Sequence, residues 1–597
     1  MKSTALSSML LFAFLMLANQ LLAANYYWVH PGTASANWSD VANWRTTSGG
    51  VTTHATPPTA ADNVFFDGNS FAAAGRTVVV DVAAVCANMI WTGATNAPTL
   101  AINNPLTIHG NLTFIAGMTV NGTGVVTFTG ANPQTITMAG KVFGGNVLWT
   151  KDVGSTATLA DAFATNGAFI LQQGGDLNSA NQNINCQRFE MVNVGTANMG
   201  TSTIQITGAS NTPPSLDLSG GGIINVATAT WNFSNTTSGA TTRIVLGDNA
   251  RNNGSITVAG AAALKNVIME GSENHQIVAL NIGNNVNFSQ STAGFDYTYS
   301  SITVAASTVA GAGVNFESTT TVTGTTTVGN LNAVTFKGGN TNLTGAVSFG
   351  NGNTVSFQNT GTVTFGNTLV LTATTPTTPS STLTFANTVS NVLHTGNVTL
   401  GGDAGSTIQY NNTGTVTFSG QTNLTDATGA NFNNLTFANS VTTVTHSQAV
   451  NYGARANVTY NNTGNTTFNN NLTGGNSNTV QFNNAGTVSV TGTTNFASGA
   501  APATSVTFTN MVSNVTHTGN ATFGGTAGSI VQYNNTGTVS FNGTTTLTNA
   551  TAPANNNLTF ANSVTTVTHS QAVNYGARAN VTYNNTGNTT FNNNLTG

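Results

Sequence analysis

The chain has 597 residues, of which only 5% are charged, with a formal net charge of −4 and two cysteines. Soluble domains carry roughly 25% charged residues; here Thr, Asn, Ser and Gly stand in their place, and no run of Lys or Arg supplies the basic footprint that nucleic-acid binding needs. Evenly spread Val, Ile, Leu and Phe exclude a disordered chain, and strand-forming Thr and Val with turn-forming Asn and Gly predict an all-β protein.

Residues 1–24 read as an export signal. Lys2 gives the positive start, residues 9–17 (MLLFAFLML) the apolar core, and Ala23 and Ala24 a cleavage site. That core is too short to span a bilayer, and no later stretch is apolar enough. A secreted or cell-surface protein with no transmembrane segment after cleavage is expected.

Residues 25–75 carry Trp28, Trp38 and Trp44, and all six tryptophans precede residue 232. A solenoid needs a cap over its first strands, and this Trp-rich region is expected to provide it. Cys86 and Cys186 fall in turns too far apart for the ~7 Å Cα separation that a disulfide requires, so separate, buried thiols are expected.

A less regular β-helix is expected over 76–333 and regular repeats over 334–597. Residues 433–474 recur unchanged at 556–597, an offset of 123. Within this long repeat an apolar–polar–aromatic triplet opens each unit, at Val355, Leu383, Ile408, Leu435, Val458, Val480, Val506, Val531, Leu558 and Val581, with looser versions at Val267, Val286, Val314 and Val334. The unit length, about 20–28 residues, fits a parallel β-helix whose corners absorb insertions. In 408–434 the alternation puts Ile408, Tyr410, Val416, Phe418 and Leu424 inward on three short strands, with Thr415 and Thr417 outward. Like residues then stack on like, and a charged column would set like charges one strand apart, which accounts for the missing charge. Gly597 falls where Gly474 falls in the earlier copy, so the chain is expected to be a piece of something longer, with an open strand edge suited to end-to-end association.

The opening YYWV…ANWSDVANWRTTSGG, the segment VVVDVAAVCANMIWTGATNAPTL at 78–100 and the tract TITMAGKVFGGNVLW at 135–149 resemble the start of large secreted repeat proteins of Bacteroidetes-type bacteria. The resemblance covers about residues 25–210. It implies export to the surface and a role in adhesion or gliding.

His394, His446, His517 and His569 each lie 11 residues after their unit's first residue. Two or three turns separate them, too far for shared zinc ligation, and a repeated corner histidine is expected. The densest charged region, Arg243, Asp248, Arg251, Lys265, Glu270, Glu273 and His275, is where the acids of a polysaccharide lyase or hydrolase would be sought. Trp38 and Trp44 could stack on sugars, although cap tryptophans more often form core. The outward pairs Thr362/Thr364 and Thr415/Thr417 resemble ice-binding ladders, but VTTVTH in intervening units is expected to break the array. No catalytic, cofactor or metal residue is assigned. The expected function is a non-catalytic surface stalk, adhesin or matrix component, its partners a polysaccharide or further copies of itself. The alternatives are a carbohydrate-active β-helix enzyme and a passive carbohydrate-binding module.

Overall fold

The computed structural model describes residues 23–192, 195–247, 252–291, 295–309, 312–372, 380–428, 430–497, 499 and 502–597. The expected export signal lies almost wholly outside the described residues. The chain is an all-β parallel solenoid of about 21 turns with about 24 residues per turn. It divides into two compact units. One comprises Met1–Asn235, Ala240–Val258 and Glu270–Glu273, the other Thr236–Gly239, Ala259–Met269 and Asn274–Gly597.

In the first unit, strand Asn25–Trp28 pairs in parallel with Asn63–Phe65, and its other edge is covered by the antiparallel segment Trp44–Arg45. This is how a solenoid shields its first backbone donors and acceptors. The tryptophans of this region fill the space beneath. Trp28, Trp38, Trp44 and Trp91 are all fully buried around Phe66. The Trp44 ring lies 4.8 Å from both Trp28 and Trp38, and Phe66 stacks on Trp91 at 3.8 Å. Cys86 and Cys186 are free and buried, as expected, and burial raises both thiol pKa values.

In the second unit each turn contributes a longer strand and two short ones. Ser406–Tyr410, Val416–Phe418 and Thr422–Leu424 make one such turn, and Asn433–Phe437 begins the next. The alternation works as read. Val416, Phe418, Leu435, Phe437, Val458 and Tyr460 are buried, while Thr415 is exposed and Thr417 partly so. Pairing is parallel and in register, Ile408 on Leu435 on Val458 on Val480. The upstream register needs one correction. Val286 pairs with Lys265, and Phe288 is the residue that stands between Val267 and Val314.

Asparagine closes the corners. Asn391 Oδ1 accepts from Thr415 N at 2.8 Å, and Asn465 Oδ1 from Thr487 N at 2.9 Å, each tying one turn to the next. A second set points inward at the NNTG turns. The buried Asn462 donates through Nδ2 to the carbonyls of Gly464 and Asn465, at 2.9 and 3.1 Å. These bonds add to those the same carbonyls accept from neighbouring turns, Asn465 O from Val444 N and Gly464 O from Asn484 Nδ2.

Candidate functional site

The residues with most chemical versatility in the repeats are histidine and tyrosine, and the fold takes both inside. Two columns of rings line the interior of the second unit. One runs along the longer strands, Phe385–Tyr410–Phe437–Tyr460–Phe482, with centroids 4.6, 4.9, 4.7 and 5.1 Å apart. The other runs along the next strand, Phe365–His394–Phe418–His446–Phe468, at 4.8, 4.7, 4.5 and 5.0 Å. The columns meet edge to face, the arrangement aromatic quadrupoles favour, as in Phe437 against His446 at 88°.

His394, His446, His517 and His569 are therefore interior residues and not corner residues. They occupy inward positions that neighbouring turns fill with Phe, or with Val490 before His517, and their rings are buried. Each Nε2 lies within hydrogen-bond reach of a tyrosine hydroxyl one turn on: Tyr410 at 3.0 Å, Tyr460 at 3.1 Å, Tyr533 at 2.9 Å and Tyr583 at 3.0 Å. The Nδ1 atoms of His446, His517 and His569 meet Thr422, Thr494 and Thr545 at 3.2, 2.8 and 3.0 Å. Burial holds the first three imidazoles neutral, with pKa values pushed down to about 3, and His569 to about 4. Such rings are neither solvent-reachable bases nor a shared ligand set.

The charged region resolves into separate pieces. Glu270 Oε2 accepts from Arg243 Nη2 at 2.7 Å and from Nε at 3.2 Å, which raises the Arg243 pKa. Glu273 is exposed, His275 is buried beside the Tyr297 ring, and Lys265 is buried, its pKa lowered by desolvation to about 8. Asp248 and Arg251 lie outside the described residues. Glu270 is thus engaged by an arginine rather than by a second acid. Among the described residues no group of three His, Cys, Asp or Glu could hold a metal ion. Trp38 and Trp44 are buried, and the Trp44 indole donates to the Trp38 carbonyl at 2.8 Å, so neither offers a face to a sugar.

What the repeats turn outward is different in kind. The threonine array is not broken by VTTVTH, because Val444 and His446 point inward and leave Thr443 and Thr445 outward, in register with Thr415 and Thr417. The outward residues at the strand centre run Thr417, Thr445, Thr467, Ser489, Thr516, Ser540, Thr568 and Thr590 on successive turns. The positions two before and two after each of them hold only Thr, Ser or Asn. The expected break does not occur because residues 443–445 within VTTVTH are themselves Thr-Val-Thr.

Compared with protein-family models, curated proteins and solved structures, the chain matches none.

Proposed function

We propose that this chain is a non-catalytic, exported surface protein, serving as a stalk, adhesin or matrix component. One observation carries the reading. The repeats keep their histidines and tyrosines inside as packing, and from Thr417, one turn after the outward Leu393, present a continuous, uncharged face of hydroxyl and amide groups outside. A catalytic solenoid needs the reverse, with titratable side chains converging on a groove. The N-terminal resemblance to secreted Bacteroidetes-type repeat proteins agrees with a surface role, and so does the export-signal pattern of residues 1–24. The fitting partner is an uncharged one, either an extracellular polysaccharide or the same face of another copy.

The test is direct. Purified protein incubated with pectins, alginates and glucans, with and without calcium, is expected to release no product. Product formation that Glu270→Gln or Glu273→Gln abolishes would replace the scaffold with an enzyme.

A further inference from the structure

The interior of the second unit contains a rule. Where a turn carries histidine, the next turn carries tyrosine in the facing column: Tyr410 after His394, Tyr460 after His446, Tyr533 after His517 and Tyr583 after His569. Where a turn carries Phe or Val instead, the next carries phenylalanine: Phe437 after Phe418, Phe482 after Phe468, Phe508 after Val490 and Phe560 after Phe541. The hydroxyl is present only where there is a ring nitrogen to meet it. A neutral imidazole has one N–H and one lone pair, and hydroxyls can serve either.

An imidazolium in the same place finds no countercharge. His394 is faced by Phe365, Phe418, Phe385 and Tyr410. His446 is faced by Phe418, Phe437, Phe468, Tyr460 and Thr422, with Tyr452 behind Tyr460 and His394 as a like charge if protonated. His517 meets Phe508, Phe523, Phe541, Tyr533 and Thr494. His569 meets Phe541, Phe560, Phe591, Tyr583 and Thr545, with Tyr575 behind Tyr583. Among the described residues no carboxylate, lysine or arginine touches any of the four. A charge buried without a partner is among the costliest states in a protein.

We infer that the His–Tyr pair is an acid-responsive latch: neutral imidazoles close the interior of the second unit, and acidification opens those turns. The sign follows from proton uptake. A solvated histidine titrates near 6.5, whereas burial holds these at about 3, or about 4 for His569. Below about pH 6.5 the opened chain binds more protons than the closed one, so stability falls from there towards pH 3–4. With all four imidazoles acting in one cooperative unit, the dependence is about four times as steep as for a single buried histidine.

The experiment is urea denaturation of the full chain between pH 7.5 and 4.5, followed by far-UV circular dichroism, with tryptophan fluorescence reporting the first unit alone. The midpoint of the second unit is expected to hold above pH 7 and to fall steeply below pH 6. A chain with His394→Phe, Tyr410→Phe, His517→Phe and Tyr533→Phe reproduces the Phe468/Phe482 combination twice and should lose about half of the slope, whatever its stability at pH 7.5. A flat profile in the unmodified chain, or an unchanged slope in the variant, would overturn the latch. Should the variant not fold, imidazole C2 hydrogen exchange of the unmodified native chain decides. Midpoints well below 5 for the four histidines support the latch, and midpoints near 6.5 contradict it.

Discussion

The two units fill a solenoid interior by opposite means. Near its start, the first packs unlike residues against one another. Trp28, Trp38, Trp44, Phe66 and Trp91 interlock at angles from stacked to perpendicular. The second sets like on like, with Phe, Tyr and His rings nearly parallel from turn to turn. Irregular packing tolerates charge nearby, and most of the chain's charged residues precede residue 301. Stacking does not tolerate it, since every side chain is repeated one strand spacing away. The lesson is that a ladder couples its rungs: a polar atom admitted on one turn must be answered on the next.

The largest test of this contrast removes one ring from each unit. Trp91→Ala and Phe437→Ala should each cost about 3–5 kcal/mol. All six tryptophans lie in the first unit, so Trp91→Ala should move the fluorescence transition, whereas Phe437→Ala should move only the circular dichroism transition. A common shift in both signals would show that the two regions do not differ in this way.

A smaller effect sharpens the account of the ladder. Asn462→Ala removes the acceptor of the buried Thr466 hydroxyl, which donates to Asn462 Oδ1 at 3.1 Å, and an unsatisfied buried group costs about 1–3 kcal/mol. The exposed Asn69 of the first unit, which donates to the Ser48 hydroxyl, should tolerate Ala within about 0.5 kcal/mol. Chemical denaturation of the two variants decides, and equal losses would remove the distinction.

The smallest effect concerns charge. Thr417 and Thr445 are direct cross-strand partners, so Thr417→Lys combined with Thr445→Lys should cost about 0.2–1 kcal/mol beyond the sum of the single substitutions. The excess should vanish in about 1 M salt, where the screening length is about 3 Å. Additivity at low salt would mean that stacking does not explain the missing charge.

Much of this was legible in the sequence, and the failures have physical causes. The columns from Leu383 to Val581 could be read because the triplet alternates with period two and repeats. The register slipped at Val286 because its partner is Lys265 and the Met269 partner is Gln290, both buried polar residues that do not look like core. Gln290 is sustained there by the Tyr299 hydroxyl at 3.1 Å. The corner expected for the histidines fails because a neutral imidazole packs between phenylalanine rings when a hydroxyl meets its nitrogen. The signal that could have corrected this was present, since the triplet's aromatic changes from Phe to Tyr only after a turn with His. Among the candidate residues, Arg243 and Glu270 are joined by an ion pair. No pattern in the sequence singled out those two from the rest of the charged region.

The central claim is that one turn makes one rung. It is tested most directly by placing spin labels at Thr417→Cys and Thr568→Cys and measuring their separation by pulsed electron–electron resonance. The native Cys86 and Cys186 are buried and should remain unlabelled. Six in-register steps separate the two sites, which at about 4.8 Å per step is about 29 Å between backbones. A narrow distribution near that value, shortening by about 5 Å per turn when the second label moves to Ser540 and then to Thr516, is the expected result. Distances that do not change in equal steps, or that shorten and then lengthen as in antiparallel hairpins, would contradict the account.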